Sequence, residues 1–317
     1  MMKSIKKIKN YFKRNRLNPG VFGTKSFWDK ILYGFSLFCL FAVCFLQLYL
    51  LLWMCYSSLK DDIDMFISLF ALPKYNALHW ENFSTAIKLI RAELFIEGQG
   101  YVSFGLPVLI KNSVILALVL PIQGQIVMTI TAFILAKYQF KGRDLLLKIN
   151  YFVMIFPIVG SLASSLKVNY LLGRFDNLFM MCVTGAHPFG GLGLLIQMSF
   201  YAAIPKEMME AAQVDGASHF QNFFHIHLPI VLPTVFLYYI LAVFGAWNDY
   251  MTPLVWLPSL PNVALGIYQF QYDAAKYAAT LPQVLAAFIL MSIPTIIFYL
   301  MNQKMIASRL VMTGLKG

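Results

Sequence analysis

Three carboxylates and a pair of alanines give one stretch of this sequence its chemical character. It reads Ile204-Pro205-Lys206-Glu207-Met208-Met209-Glu210-Ala211-Ala212-Gln213-Val214-Asp215-Gly216-Ala217-Ser218. Pro205 has its φ preset for a helix start, and Glu207 falls in the first turn, where the helix dipole favours negative charge. Gly216 breaks that helix, and Ser218 can cap a second one running to about His227. Leu228-Pro229 is expected to end it, with Pro233 at the mouth of the next apolar run. The product is a helix–turn–helix with a small, flat face at Ala211 and Ala212 and exposed charge from Glu210 and Asp215. Such a knob suits docking into a groove on a soluble protein. The competing reading is a plain loop lying on a membrane surface. Interfacial helices favour Lys and Arg on their polar face, whereas residues 205–217 hold two Glu and one Asp against one Lys. A protein partner fits better than lipid.

Other residues offer less chemistry. Asp249, in the run Trp247-Asn248-Asp249-Tyr250-x-x-Pro253-Leu254, lies within an apolar stretch. An ionisable group at membrane depth is costly and by default faces a bundle interior or a water-filled cavity. An intramembrane enzyme would need paired groups, such as Ser with His or two carboxylates, and Asp249 has no such companion. His187 is isolated and reads as a packing residue. The cysteines, Cys39, Cys44, Cys55 and Cys182, lack metal-ligand spacing and read as buried free thiols. No site for a metal is expected. The sequence contains neither G-x-x-x-x-G-K-[ST] nor any Gly-Lys dipeptide, so it has no usual phosphate cradle for ATP.

The elements that must position these residues are membrane helices. Hydrophobic side chains make up 59% of the chain and charged ones 12%, about half the charged share of a soluble domain. Mean hydropathy is +0.67. The apolar residues come in long runs at 31–54, 109–136, 145–166, 178–203, 230–257 and 283–301. At about 1.5 Å per residue these runs reach bilayer length, and lipid demands that they be helical. A transmembrane barrel would show short alternating segments instead. The first run is too long and too far from the N-terminus for a signal peptide.

Orientation follows from the cations. Residues 1–30 carry Lys3, Lys6, Lys7, Lys9, Lys13, Arg14, Arg16, Lys25 and Lys30. Lys137, Lys141, Arg143, Lys148, Lys206 and the last stretch of the chain add more on the same side if both termini are cytoplasmic. The net charge of +11 is therefore a topology signal rather than a nucleic-acid footprint, and the basic N-terminal arm lies against anionic lipid. The expected organisation is a basic tail (1–30), a first membrane helix (31–57), an external segment (58–108), a five-helix core (109–304) containing the knob (205–228), and a cytoplasmic tail (305–317). The external segment is expected to form a small cap with a helix around residues 83–94 and a turn at Glu97-Gly98-Gln99-Gly100. His187-Pro188 should kink or break the fourth membrane helix, and Pro294 the sixth.

A resemblance joins these pieces. Glu210-Ala211-Ala212, Asp215-Gly216-Ala217 and Ile226-x-Leu228-Pro229-x-x-x-Pro233, preceded by Phe200-x-x-x-Ile204-Pro205-x-Glu207, look like the EAA loop of binding-protein-dependent ABC importer permeases. The resemblance implies an all-α membrane protein of six transmembrane helices, with a cytoplasmic coupling helix pair and both termini cytoplasmic, in a bacterial cell membrane. It implies that Glu207, Glu210, Ala211, Ala212, Asp215 and Gly216 contact an ATPase subunit. It implies the following partners: a second homologous permease, two ATPases that use ATP and Mg, and an extracellular binding protein. The chain itself would be no enzyme and hold no cofactor. Trp247 to Leu254 and the closing Gly314-Leu315-Lys316-Gly317 are similar to the smaller subunit of maltose-type carbohydrate permeases. That likeness implies import of a sugar or oligosaccharide, with glycerol phosphate or a peptide as the alternative cargo. Cations facing the cavity, which a phosphate would call for, are missing deep in the spans. Two readings of Trp247, Asn248, Asp249 and Tyr250 stay open: they line the sugar path, or Asp249 braces a helix break before Pro253. The resemblance also makes residues 258–273 a candidate docking surface for the binding protein, and brings the tail at 312–317 to the ATPase interface.

Overall fold

The computed structural model describes residues 27–73, 78–156, 160–185, 188–276 and 278–314, with side chains through 306. The chain divides into two compact units, Met1–Tyr56 and Ser57–Gly317. The described part of the first unit is the helix α1 (Phe27–Ser57). Its 31 residues would reach about 46 Å at the usual rise. The helix is sheathed in exposed Phe, Leu and Tyr, among them the stacked ladder Phe41, Phe45 and Tyr49. An apolar sleeve of this extent is stable only against lipid or another protein. Cys39, Cys44 and Cys55 are exposed on it and Cys182 is half-buried, all as free thiols. The expectation of buried cysteines is corrected: membrane helices turn apolar side chains outward because lipid is as apolar as a core.

The second unit opens with α2 (Asp62–Ile67) and α3 (Glu81–Leu89), then an antiparallel hairpin of β1 (Arg91–Ile96) and β2 (Gly100–Gly105). The helix anticipated around 83–94 thus ends at Leu89, and the all-α expectation fails here. The run from Arg91 to Ile96 buries Ala92, Leu94 and Ile96 on one side, the period of two that a strand requires. Gly98, at φ +83, takes the third position of the turn closed by Gln99 N–H on the Ile96 carbonyl. Lys60 is buried beside α2 and donates to the carbonyls of Ser68 and Leu69. Burial pushes its ammonium below the usual lysine range, and Asp64 partly offsets this.

The remaining helices are α4 (Leu106–Lys137), α5 (Arg143–Ile155), α6 (Leu162–Leu171), α7 (Leu178–Thr184), α8 (Gly191–Ala202) and α9 (Lys206–Val214). They continue with α10 (His219–Trp247), α11 (Met251–Val255), α12 (Val263–Tyr272) and α13 (Leu281–Gly314). Among the described residues four helices are long and apolar enough to cross a membrane: α1, α4, α10 and α13 over Leu281–Ile306. The third and fourth expected spans are each two helices, α5 with α6 and α7 with α8. Gly160 takes φ +77 in the first break and Gly191 takes φ +55 in the second, where Pro188 also stands. His187 lies outside the described residues. By contrast α13 runs unbroken through Pro294, as α4 does through Pro121 and α10 through Pro233. A proline deletes one backbone bond, which helical neighbours can absorb. Between α7 and α8 the backbone turns left-handed at Gly191, a conformation that glycine adopts without steric cost.

Two apolar clusters hold the second unit. One packs the hairpin and α3 against α12 and α13, through Ile90, Leu94, Leu109, Leu265, Phe270 and Ala287. Gly266 is required there, since a Cβ would lie 2.6 Å from a Leu109 methyl. The Gln269 amide completes the contact as a mock strand, accepting from Glu93 N–H (2.8 Å) and donating to its carbonyl (3.0 Å). The other cluster gathers Phe133, Leu194, Tyr201, Ile204, Phe223 and Val231 beneath α9.

Candidate functional site

The knob is built from a sequence of local terminators. The chain enters α9 from Pro205 at φ −56, ψ 142, and Glu207 sits in the first turn. At the far end Ala217 N–H bonds to the Ala212 carbonyl (2.8 Å) and Gly216 N–H to the Gln213 carbonyl (3.0 Å). With Gly216 at φ +86, this is the glycine-dependent Schellman closure. Ser218 then starts α10 with a full capping box: its hydroxyl accepts from Gln221 N–H, and the Gln221 amide oxygen accepts from Ser218 N–H. The expectation of a second short helix ending at Leu228-Pro229 is corrected. Asn222–His227 widens into a π-helical turn, with Leu228 N–H bonding to the Phe223 carbonyl, and the helix runs on to Trp247. The wider turn leaves room for the Pro229 ring, which would otherwise strike the preceding turn.

Beneath the knob, polar groups fix its position. Lys137, at the end of α4 and 8% exposed, donates to the Ile204 carbonyl at 2.6 Å, just before Pro205. The buried Asn222 amide donates to the Met209 carbonyl (3.2 Å), tying α9 to α10. The Tyr138 hydroxyl lies within hydrogen-bond distance of His219 Nδ1 (2.9 Å), and burial pushes its phenol pKa upward. Phe133 packs against Tyr201, Phe223 and His227 with ring centroids 4.9–5.5 Å apart.

Above this base, Glu207, Glu210, Ala211, Asp215 and Gly216 are exposed and Ala212 is half-buried. None of the three carboxylates forms a hydrogen bond or ion pair with the described residues. Val214 (87% exposed) and Phe220 (71%) stand beside them, with Met208 also exposed. The surface is thus apolar at its tip and acidic around it. Reading the sequence by motif missed Val214 and Phe220. Their signal was apolar side chains at positions where a self-contained helix pair would place polar ones.

The other predicted site residues do not gather around one cavity. Trp247 lines an apolar cavity of about 410 Å³ with Val114, Val243, Phe244, Pro294 and Phe298, its indole N–H reaching the Met291 carbonyl at 3.4 Å. Asn248 is exposed and donates back to the Phe244 carbonyl. Asp249 accepts from Met251 N–H (2.9 Å), Thr252 N–H (3.1 Å) and the Thr252 hydroxyl, and so caps α11. Tyr250 stacks on Tyr268 at 4.2 Å and 10°. The elbow is fastened further by Asn262, which donates to the Asp249 carbonyl, and by Asn112 and Ser113 of α4, which bond Pro261 and Val263. Across from it Asp176 accepts from Ser259 N–H and hydroxyl.

A separate cavity, lined mostly by apolar groups with a few polar ones among them, lies beside the middle of α4. It measures about 490 Å³ and is bounded by Gln123, Gln125 and Met128 of α4, the glycines of the α7–α8 break, and Tyr238 of α10. Asn150 of α5 braces the break through reciprocal bonds with Gly191. Among the described residues no group of His, Cys, Asp and Glu is assembled to hold a metal.

Long apolar helices, two interrupted ones and an exposed acidic helix–turn–helix define a multi-pass membrane protein. Residues 20–311 match the family described as binding-protein-dependent transport system inner membrane component, and the chain belongs to it. It is therefore a permease component of ABC importers, seated in the bacterial cell membrane. The trehalose/maltose transport system permease protein MalG of Thermococcus litoralis is 29% identical over 216 residues, 67% of this chain and 76% of the relative. The diacetylchitobiose uptake system permease protein NgcG of Streptomyces coelicolor is 25% identical over 263 residues, 81% of this chain and 80% of the relative. A chain from the crystal structure of a bacterial ABC transporter that imports the acidic polysaccharide alginate shares the fold. It aligns with TM-score 0.64 and 21% identity, over 88% of this chain and 98% of that one.

Proposed function

We propose that this chain is one permease half of an ATP-driven importer for a sugar or oligosaccharide handed over by an extracellular binding protein. Family membership over residues 20–311 carries the reading, and the relatives named for trehalose, maltose and diacetylchitobiose support a sugar as cargo. The partners are a second homologous permease, two ATPase subunits and the binding protein, with ATP and Mg bound by the ATPases. This chain contributes no catalysis. Both termini and the knob face the cytoplasm, and α5–α6 and α7–α8 complete a set of six membrane crossings.

The mechanism is mechanical. Glu207, Glu210, Ala211, Ala212, Asp215 and Gly216, with Val214 and Phe220, sit in a groove of the ATPase. Closure of the ATPase pair on ATP moves the knobs together. Because the knob's second helix runs on through the π-helical turn at Asn222–His227 to Trp247, that displacement passes directly into a membrane helix and turns the cavity outward. Hydrolysis resets it. Residues 258–273 meet the binding protein, and the tail at 312–317 reaches the ATPases. Asp249 serves as a brace in this scheme, since its carboxylate oxygens are already engaged at the start of α11.

The deciding experiment reconstitutes the complete transporter with Glu210→Lys. Uptake should be lost while ATP hydrolysis and membrane insertion persist. Unchanged uptake would refute the coupling role, and a stable complex of this chain with copies of itself, lacking an ATPase, would refute the heteromeric assembly.

A further inference from the structure

The cavity beside the middle of α4 takes no part in the coupling surface, yet it sets a few polar groups among apolar walls. Gln123 stands near the midpoint of α4, and Tyr238 about two-thirds of the way along α10. Its volume of about 490 Å³ falls within the ~300–1,000 Å³ usual for ligand sites. The walls combine apolar faces, from Leu120, Leu241 and Ala242, with the amides of Gln123 and Gln125 and the Tyr238 ring.

Three further observations point to a ligand. First, the Gln123 amide oxygen is buried and has no hydrogen-bond partner among the described residues. Second, a polar ladder leads inward from the cavity: Gln125 donates to the Thr129 hydroxyl (3.0 Å), which donates to the Gln197 amide oxygen (3.2 Å). The fully buried Gln197 finds no partner for its own NH₂ among the described residues. Orphaned amides of this kind are uncommon in apolar surroundings because each forgoes a bond it would have in water. Third, glycines bring bare backbone close against the Gln123 and Met128 side chains at the edge of the cavity. A Cβ on Gly190 would lie 2.5 Å from the Met128 sulfur, and one on Gly185 would lie 3.0 Å from the Gln123 amide nitrogen. Interrupted helices at membrane depth are tolerated where they line a cavity that satisfies them.

We propose that this cavity is a cargo-contact site within this subunit, in which Gln123, Gln125 and Tyr238 hydrogen-bond the hydroxyls of a sugar ring lying against the glycine wall. Amides and a phenol both donate and accept, as hydroxyl groups do, and the uncharged walls let the ring leave again. The inference rests on the sugar reading and places the contact there rather than at Trp247–Asn248–Asp249–Tyr250, where the polar groups are engaged internally.

The test uses the complete transporter in proteoliposomes with maltose, trehalose and N,N′-diacetylchitobiose as probes. For whichever sugar the wild type imports, Gln123→Leu and Tyr238→Phe should each lower uptake efficiency by roughly tenfold, the worth of about one hydrogen bond. Each should also shrink the preference for that sugar over its deoxy analogue, a readout that mere loosening of the bundle would not move. ATP hydrolysis stimulated by the binding protein should stay within about twofold, since surface coupling is untouched. In a background with the four native cysteines changed to serine, Gln123→Cys should be alkylated more slowly when the sugar is present. Normal uptake and unchanged preference in both variants, or alkylation indifferent to sugar, would overturn the proposed site while leaving sugar import intact. A wild type that imports none of these sugars but carries another solute would overturn the sugar reading itself, and this site with it.

Discussion

Carboxylates flank both ends of α10, and the molecule uses them in opposite ways. Before its start, Glu207, Glu210 and Asp215 are exposed and make no hydrogen bond or ion pair with the described residues. After its end, Asp249 is half-buried and accepts from Met251, Thr252 and the Thr252 hydroxyl. The difference separates two kinds of work. A charge with no internal partner is available to an external one, whereas a charge already bonded on several sides holds the shape of its own chain. The backbone around each is equally well defined. The knob has its Schellman closure and capping box, and the elbow has Asn262, Asn112 and Ser113. Order therefore does not distinguish them; the state of the side chains does.

Glu210→Lys probes that contrast most strongly. Setting like charge against an interface costs several kcal/mol, so uptake should fall by about 100-fold. The thermal midpoint of the purified chain should barely move, because exposed substitutions cost roughly 0.5 kcal/mol or less. A large loss of stability would show that Glu210 has an internal role after all. Lys137→Met comes next. It strips the buried Ile204 carbonyl of its donor at a cost of about 1–3 kcal/mol, and the knob should become open to protease before the rest of the chain does. Equal protection in mutant and wild type would remove Lys137 from the account.

Asp249→Ala should reverse the Glu210 pattern, lowering stability by about 1–2 kcal/mol through loss of a helix cap while the apparent affinity for sugar in uptake stays within about twofold. A selective loss of sugar affinity, with unaltered stability, would put Asp249 back on the cargo path. The smallest effect belongs to Gly216→Ala. A side chain at φ +86 costs roughly 1 kcal/mol, enough to loosen the turn, and copurification of the ATPase should weaken modestly. No change in copurification would mean that the turn's geometry is not read by the partner.

The legibility of these features in the sequence follows from their range. The terminators of the knob's helices are contacts between near neighbours along the chain, so Pro205, Gly216 and Ser218 announce them one by one. The long helices α1, α4, α10 and α13 are announced by the length of their apolar runs. The hairpin was harder, because Ala92, Leu94 and Ile96 also suit a helix. What makes β1 a strand is its pairing with β2 and the Gln269 amide offered from a helix far along the chain. Likewise hydropathy sums over a window and cannot register that α7 stops at Thr184, which depends on the glycines and on Asn150 arriving to brace Gly191.

The sequence by itself determined that the chain lives in a membrane, carries an acidic helix–turn–helix and contains no G-x-x-x-x-G-K-[ST] pattern. Each of these depends on composition or on neighbours along the chain. Only the tertiary structure decided which polar residues are engaged and which are free. It turned Asp249 inward to cap α11 and left Gln123 facing a cavity. The reason is that a hydrogen bond depends on position to within a few tenths of an ångström, and partners such as Thr129 and Gln197 lie 68 residues apart until the helices pack.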